Sequence, residues 1–203
     1  MAKKESTLFN MVSTLLVITT ISSASLGFMF GLTEKPKKEA EKAKQNFAIM
    51  SVLPKYENVS ALDAFDNIPS DDEYKIASID AGDSLVCYPA YRNGELVGIA
   101  VKTWTKGGFS GLIRLMVGFD KNGNIINTSV LEHKETPGLG TKMADAEFKD
   151  QYMEKNPGTF NIKVKKDGGN IDGITAATIS ARAFSEAVER AYKSLEEAGK
   201  FEK

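Results

Sequence analysis

The first part of the chain is uniformly apolar over a length that suits a membrane. Residues 8–32 contain no ionisable side chain, and a helix of about 25 residues would be roughly 37 Å long. A helix of that length spans a bilayer with some tilt. The pattern therefore predicts a transmembrane helix at 8–32. A cleaved signal peptide is the alternative, because Lys3 and Lys4 precede the run, although the run exceeds the usual ~7–15-residue signal core.

The hydrophobic pattern changes twice after the membrane segment. Residues 33–54 are charged and favour a helix, gain apolar positions from Phe47 to Leu53, and end at Pro54; they predict a stalk helix or linker. The polar, acidic stretch 61–82 predicts irregular or edge structure. Four strand patterns follow, at 84–88, 95–105, 112–120 and 125–133, and turn pairs such as Asn93-Gly94 and Asn122-Gly123 separate several of them. This succession predicts an antiparallel meander.

The last third of the chain returns to helical spacing. The pattern predicts a helix at 143–153, a strand at 159–165, a glycine-rich turn at 167–170 and a final helix at 177–198 that stops at Gly199. The final helix carries one apolar stripe, formed by Ile179, Ala183, Phe184, Ala187, Val188, Ala191, Tyr192 and Leu195. The predicted fold class is α+β: a single transmembrane helix, then a two-layer domain at 55–203 with a mainly antiparallel sheet and this long C-terminal helix.

Composition and charge exclude several kinds of function. The chain has 26 Lys and Arg against 27 Asp and Glu, a formal net charge of −1, so no electrostatic attraction to nucleic acid is expected. Its one cysteine and one histidine cannot form an internal disulfide, hold an iron–sulfur cluster or complete a His-rich zinc site. We predict no metal site of these kinds, although a site built from oxygen ligands stays open.

A glycine-rich motif follows the fourth predicted strand. Residues 133–142 read HKETPGLGTK and place Glu135, Thr136 and Leu139 in a loop. Gly138 and Gly140 in the same loop would let a flat ligand approach the backbone closely. An ordinary strand-to-helix connection explains the spacing equally well.

A second motif stands at the start of the final helix, where residues 172–180 read DGITAATIS. Thr175 is the predicted N-cap, which places Ala176, Ala177 and Thr178 in the first turn, where backbone N–H groups lack intrahelical partners. An anion bound there would be stabilised by those donors and by the helix dipole. Without further information, a threonine in this position most often serves only as a cap or a surface residue.

The two motifs together resemble one family. With the segment KGGFSGLIRLMVGFDKNG at 106–123 and the single membrane helix, they are similar to the G subunits (RnfG, or RsxG) of the Rnf ion-translocating electron-transport complexes. The related protein NqrC of the sodium-pumping NADH:quinone reductase shares the same FMN-binding domain. The resemblance implies FMN joined through its phosphate to Thr178 by a separate flavin transferase, so that the chain is a flavoprotein and a phosphoprotein. The family usually has glycine at the position of Ala176.

The resemblance also implies roles for the residues around Thr178. Thr175, Ala176 and Ala177 belong to the attachment motif, and the resulting phosphodiester could be held by the helix N-terminus without a lysine or arginine. The residues implied to line the flavin or its ribityl chain are Glu135, Thr136, Gly138, Leu139 and Gly140, with Gly108 and Ser110 from the neighbouring hairpin. No residue is expected to be catalytic and none to bind a metal. His133 could donate a proton to reduced flavin, but a structural hydrogen bond is the more ordinary role.

The function implied is electron transfer within a membrane complex. Such a protein moves electrons between ferredoxin and NAD, coupled to Na⁺ or H⁺ transport, and works with the other Rnf subunits. The family places 1–7 in the cytoplasm and the flavin domain on the periplasmic side of the bacterial inner membrane, whereas lysines on both sides of the apolar run leave the orientation ambiguous from charge alone. The alternative is a membrane-anchored extracytoplasmic ligand-binding or sensor domain without covalent flavin.

Overall fold

The structure is a computed structural model that describes residues 8–56, 64–67, 69–79 and 83–201. The chain divides into two compact units, residues 1–43 and 44–203, and each is described by itself. The segment 1–7, predicted to be cytoplasmic, lies outside the described residues.

One long helix, α1 (Leu8–Val52), takes in both the predicted membrane span and most of the predicted stalk. It runs through Pro36, although an interior proline removes one backbone hydrogen bond. It ends before Pro54, as a proline disfavours helical geometry in the residue before it. Within this helix, one 18-residue window has a mean hydropathy of 1.8 and no residue buried, which fits a candidate membrane span. A long apolar helix that could span a membrane, followed by an α+β domain, is therefore confirmed.

The domain contains a five-stranded antiparallel meander in the order β1-β2-β3-β4-β5, as the sequence predicts. The strands are β1 (Tyr74–Ala77), β2 (Ser84–Arg92), β3 (Glu95–Gly108), β4 (Gly111–Phe119) and β5 (Ile125–Glu132). The short strand β1 lies at the sheet edge, within the stretch expected to be irregular or edge structure. Strands β2 and β3 extend further than their apolar patterns indicate.

Tight turns set the strand register. Asn93 and Gly94 both have positive φ, 54° and 77°, which matches the two-residue turn that follows the twist of a hairpin. The hairpin between β3 and β4 is equally tight, because Gly108 pairs with Gly111 across the two-residue tip Phe109-Ser110. The tip places Phe109 and Ser110 at the end of the sheet where the glycine-rich loop begins.

The predicted helix at 143–153 is wrong as a continuous element. The chain forms a 3₁₀ turn at Gly140–Ala144, the one-turn helix α2 at Ala146–Lys149 and a second 3₁₀ turn at Asp150–Tyr152. The extended backbone of Asp145 (φ −72°, ψ 147°) interrupts the helix. The apolar spacing that suggested a helix instead buries Phe148 and Tyr152 against Phe184 through three aromatic contacts.

The predicted strand at 159–165 is also wrong. The carbonyl oxygen of Asn156 accepts hydrogen bonds from the N–H groups of Thr159 and Phe160, so this segment starts as a turn. Its only β interaction among the described residues is an isolated parallel bridge between Val164 and Ile171. Alternate residues do point into the core, but the chain folds back at once, so no ladder forms. The fold-back requires Gly169, where a Cβ would lie 1.9 Å from the Lys163 carbonyl oxygen.

The C-terminal helix α3 (Thr178–Glu197) covers one face of the sheet. All members of its predicted apolar stripe are buried except Ile179, which is 46% exposed. The helix ends at a left-handed Gly199 (φ 63°). The N–H of Lys200 donates to the Leu195 carbonyl at 3.0 Å and that of Gly199 to the Glu196 carbonyl at 3.0 Å, the Schellman arrangement. The predicted stop is therefore confirmed, as is the packing of helix on sheet.

The last residues of α1 pack on the opposite face of the sheet. Ala48, Ile49 and Val52 join a second buried apolar cluster with residues of β2, β3 and β4. A Cβ on Gly118 would lie 1.8 Å from the Val52 carbonyl oxygen. Glycine at 118 is therefore what lets the backbone of α1 approach β4. The end of α1 and the helix α3 thus cover the two faces of the sheet. One end of the sheet is left for a site.

Candidate functional site

Three segments meet at one end of the sheet: the β3–β4 hairpin tip, the loop at 133–142 and the start of α3. They enclose a cavity of about 320 Å³, within the roughly 300–1,000 Å³ typical of small-molecule sites. Both sequence motifs contribute to it. The lining residues are Phe109, Glu135, Thr136, Leu139, Gly140, Ala176, Ala177, Thr178, Ile179 and Ser180.

Glu135 connects the three segments. It is only 4% exposed. The Ser180 hydroxyl on α3 donates to one carboxylate oxygen at 2.6 Å, and the Ser110 N–H at the hairpin tip donates to the other at 2.9 Å. Because both carboxylate oxygens accept hydrogen bonds, the buried group is satisfied on each side. This carboxylate therefore fixes the hairpin tip and the helix against the loop that carries it.

Two glycines make room for this carboxylate. A Cβ on Gly108 would lie 2.8 Å from Glu135 Oε1, and a Cβ on Gly140 would lie 2.7 Å from Glu135 Oε2 and 2.6 Å from the Ser180 hydroxyl. These separations are shorter than side-chain atoms tolerate. Both glycines are therefore needed for close packing around Glu135, whereas Gly138 has open space around it and serves the loop through its φ of 75°.

The start of α3 differs from the prediction. The N-cap residue is Ala177 (φ −138°), which offers no side-chain hydrogen bond, so Thr175 does not cap the helix. Ala176 has a φ of 60°, in the left-handed region. Alanine is strained there and glycine is not. The chain needs this conformation because the Ala177 N–H turns back to the Ile174 carbonyl at 3.0 Å, which moves the helix start to Thr178.

This arrangement leaves a helix end rich in donors. The first bond into the helix runs from the Ala181 N–H to the Ala177 carbonyl at 3.1 Å, so the N–H groups of Thr178, Ile179 and Ser180 have no intrahelical acceptor. Ala177 offers them no side-chain cap. Such a terminus favours an anion. Thr178, the first helical residue, is half-buried at the edge of the cavity.

A cation also lies beside Thr178. The Lys166 ammonium donates to the Thr178 hydroxyl oxygen at 3.3 Å, so the sequence-based view that the helix end would act without a lysine is incomplete. Neighbouring cations have carboxylate partners: Lys165 pairs with Asp172 at 2.6 Å, and Arg182 binds both oxygens of Asp167 at 2.6 Å. The hydrogen bonds from Arg182 hold the pKa of Asp167 below its usual value.

Other candidate residues have structural surroundings. The Nδ1 atom of His133 accepts the Glu135 N–H at 3.2 Å, which is the structural role, and His133 does not line the cavity. Trp104 packs against the core beneath the Arg190 guanidinium, 4.7 Å from its ring centre. Cys87 is fully buried, and burial raises the pKa of its thiol to about 12, so it behaves as an apolar residue.

The predicted site residues fall into three groups. Glu135, Thr136, Leu139, Gly140, Ala176, Ala177 and Thr178 line the cavity. Gly108 and Ser110 contact Glu135 from behind without lining it. Thr175 and Gly138 lie exposed in the adjoining turns, outside the lining. Sequence reasoning missed Ser180, which occupies a position off the apolar stripe, and assigned Ile179 to the core instead of the cavity rim.

A larger cavity, about 480 Å³, lies elsewhere in the domain, lined in part by Ser51, Asp120, Asn124 and Asn127. Its polar side chains bond to other groups of the groove. Asp120 accepts from the Asn124 side chain at 2.8 Å, and Asn127 donates to the Ser51 carbonyl at 3.0 Å. The size of this groove does not make it the site, because the unpaired donors and the motif residues lie at the smaller cavity.

Comparison with known proteins defines the class. The family model described as FMN-binding domain matches residues 108–193, a range that contains the hairpin tip, the glycine-rich loop and the start of α3. In fold, the chain is similar to the C subunit of the Na⁺-translocating NADH-quinone reductase from Parabacteroides distasonis. The TM-score is 0.57 at 20% identity, over 83% of this chain and 96% of that one. The molecule thus combines a long apolar helix that could span a membrane with an FMN-binding domain.

Relatives narrow the class to one family. The G subunit of the ion-translocating oxidoreductase complex from Vibrio cholerae is 30% identical over 183 residues, 87% of this chain and 85% of the relative. The corresponding protein from Vibrio atlanticus is 33% identical over 184 residues, 87% and 86% of the two chains. That from Vibrio vulnificus is 40% identical over 111 residues, about half of each chain at 52%. The chain belongs to the family of these G subunits.

Proposed function

We propose that this protein is the electron-transfer subunit of an Rnf-type ion-translocating oxidoreductase and that it carries FMN as a phosphoester on Thr178. One observation carries the proposal: Thr178, the uncapped start of α3 and the Lys166 ammonium lie together at the rim of the cavity. The names of the relatives support the complex. The phosphoester link to Thr178 is proposed from the side chains and N–H groups around that threonine.

The residues around Thr178 and the cavity fit a covalently attached FMN. A phosphodiester at Thr178 would carry one negative charge, and the free N–H groups of the first helical turn and Lys166 supply donors for it. The cavity beside it has an apolar rim formed by Phe109, Leu139 and Ile179, which are 69%, 40% and 46% exposed. Exposed apolar side chains of this kind suit a flat aromatic ring. The bound flavin would supply the redox chemistry, which no protein side chain here provides.

In this proposal the chain's own residues hold the flavin and shape the cavity around it. Thr178 provides the hydroxyl for attachment, and its half-buried position leaves that hydroxyl open to a separate flavin transferase. The Glu135 carboxylate, anchored by Ser110 and Ser180, keeps the hairpin and loop in place around the cavity. A covalent link would also prevent cofactor loss by dilution outside the compartment that makes it.

The partners follow from what this chain lacks. Residues 8–32 contain no ionisable side chain, so this segment offers no path for an ion. No G-x-G-x-x-G fingerprint for NAD occurs in the sequence. Transport and NAD chemistry therefore belong to the other subunits of the complex. In this proposal electrons pass between ferredoxin and NAD, coupled to Na⁺ or H⁺ transport, with the flavin domain on the periplasmic side of the bacterial inner membrane.

The linkage is tested by co-expressing the full chain with a flavin transferase and measuring intact mass after denaturation. We expect wild type to retain the mass of one FMN minus one water, together with in-gel fluorescence, and Thr178→Val to lose both. Thr159→Val is the matched control, because Thr159 is exposed in the same domain but lies outside both the attachment motif and the cavity lining, and it should remain labelled.

A wild-type chain that stays unlabelled, beside a control substrate that the same transferase labels, would remove the covalent hypothesis. Non-covalent FMN binding by that chain would then favour the alternative, a membrane-anchored ligand-binding domain. The membrane side is tested separately with a protease on whole cells and on spheroplasts. Cleavage of the domain only after the inner membrane is opened would contradict the periplasmic placement.

A further inference from the structure

We propose that the Glu135 carboxylate lowers the reduction potential of the flavin at this site. This inference rests on the proposed function, since it requires a flavin in the cavity that Glu135 lines. It assigns to Glu135 an electrostatic effect on the cofactor in addition to its contacts with the hairpin and the helix.

The contacts of Glu135 suit a carboxylate. One oxygen accepts from the Ser180 hydroxyl at 2.6 Å and the other from the Ser110 N–H at 2.9 Å. A backbone N–H can only donate, so the oxygen that faces Ser110 must accept. Both donors are neutral groups, so neither supplies a full positive charge to the carboxylate.

This charge has no ionic partner. Among the residues that the structure describes, no lysine, arginine or histidine forms an ion pair with Glu135. Its carboxylate accepts the two hydrogen bonds and lies close to Gly108 and Gly140. The other acidic groups near the motif differ in this respect. Asp167 is bound by Arg182, Asp172 by Lys165 and Glu132 by Arg114.

An unpaired buried charge acts strongly on its neighbours. With Glu135 only 4% exposed, water screens its field less than that of a surface group. Reduction of a flavin adds negative charge, and a fixed negative charge beside the ring opposes that addition. Charges near the ring are among the means by which proteins adjust flavin electronics. Lys166 does not cancel the effect, because its ammonium lies at Thr178, where the phosphate end would be held.

The test is redox titration of the flavin-loaded full chain at pH 8, followed by absorbance. Glu135→Gln keeps nearly the same size and one acceptor oxygen but removes the charge, so we expect its potential to shift to a more positive value. Glu132→Gln is the matched control, because it removes a carboxylate three residues away that is exposed and paired with Arg114. The control should titrate as wild type does.

A second variant separates charge from disturbed packing. Glu135→Asp keeps the charge but shortens the side chain by one methylene group, so it disturbs the contacts with Ser110 and Ser180 without removing the carboxylate. A positive shift in Glu135→Gln that Glu135→Asp does not share supports the proposal. An unchanged potential in Glu135→Gln, or an equal shift in both variants, would overturn it. If Glu135→Gln does not fold, Glu135→Ala takes its place, with the same expected shift and the same results against the proposal.

The outcomes also distinguish this inference from the function on which it rests. Wild type that loads FMN and has the same potential as Glu135→Gln would reject only the role of Glu135. Wild type that binds no flavin, with or without the transferase, would reject both. Loading that is non-covalent would reject the link to Thr178 and leave the titration a valid test of Glu135.

Discussion

The two ends of helix α3 are built in opposite ways. At the C-terminus, Gly199 and Lys200 close a Schellman motif, and Phe201 stacks on Tyr192 with ring centres 5.1 Å apart. At the N-terminus, Ala177 provides no cap, Ala176 is held in a left-handed conformation, and Ile179 lies exposed. One helix thus has an end closed by backbone hydrogen bonds and, within the described part of the chain, an end whose first N–H groups lack acceptors.

The difference between the two helix ends assigns function to one end and stability to the other. An uncapped helix end costs free energy that a single side chain such as serine would restore, typically about 1 kcal/mol. Strained or unsatisfied groups persist where a ligand completes them. The N-terminal end coincides with the cavity and the motif, whereas the C-terminal end only closes the core. Changes at the first end should therefore alter flavin loading, and changes at the second should alter stability alone.

The largest effect is expected from Gly140→Ala at the N-terminal end. The new Cβ would lie 2.6 Å from the Ser180 hydroxyl and 2.7 Å from Glu135 Cβ, so the loop must move away from α3. Overpacking of this kind costs about 1–3 kcal/mol, and flavin loading should fall with it. Urea unfolding and intact mass measure the two effects. Gly138→Ala, strained at its φ of 75° but uncrowded, should keep more of its loading than Gly140→Ala.

A large change at the other end should affect stability only. Phe201→Ala removes a ring that contacts Tyr192 and Phe119, with ring centres 5.1 and 5.8 Å away. Because Phe201 is partly exposed, we expect a loss of about 2 kcal/mol, less than for a fully buried phenylalanine. Thermal unfolding measures the loss. A marked fall in flavin loading would show that the two ends of α3 are coupled and would contradict their separate roles.

Gly199→Ala should have a smaller effect of the same kind. Its φ of 63° is left-handed, where alanine costs about 1 kcal/mol relative to glycine. Urea unfolding should show this loss, with flavin labelling at the wild-type level. Unchanged stability would mean that the Schellman closure contributes little to the domain.

The smallest effect, and the only gain, is expected from Ala176→Gly. Glycine removes the strain of a residue at φ 60° but increases the freedom of the unfolded chain, so the net gain should be about 0.5–1 kcal/mol. The labelled fraction should be at least that of wild type. A loss of stability on calorimetry would be inconsistent with a left-handed position 176.

Elements with strong local signals were predictable from the sequence. The meander followed from β-branched runs and the Asn93-Gly94 turn, and α3 followed from its stripe and Gly199. The prediction of a helix at 143–153 was wrong because three short helical turns bury the same apolar positions. The prediction of a strand at 159–165 was wrong because alternate side chains can point into the core without a partner strand.

The site was predictable in its motifs but not in its contacts. A resemblance placed Thr178, Glu135 and Gly140 in one region, and the structure brings them to one cavity. Ser180 and Lys166 had no signal, because their roles depend on the meeting of segments distant in sequence. The left-handed conformation of Ala176 explains why glycine suits that position, although only the backbone angle reveals it.

The attachment of FMN at Thr178 is tested most directly by peptide mass spectrometry of the protein purified from membranes after flavin transfer. Trypsin cleaves after Lys166 and Arg182 and releases the peptide 167–182, which contains three hydroxyl side chains, those of Thr175, Thr178 and Ser180. We expect fragmentation to place the mass of FMN minus one water on Thr178. An unmodified peptide from flavin-bearing protein, or a modification on Thr175 or Ser180, would contradict it.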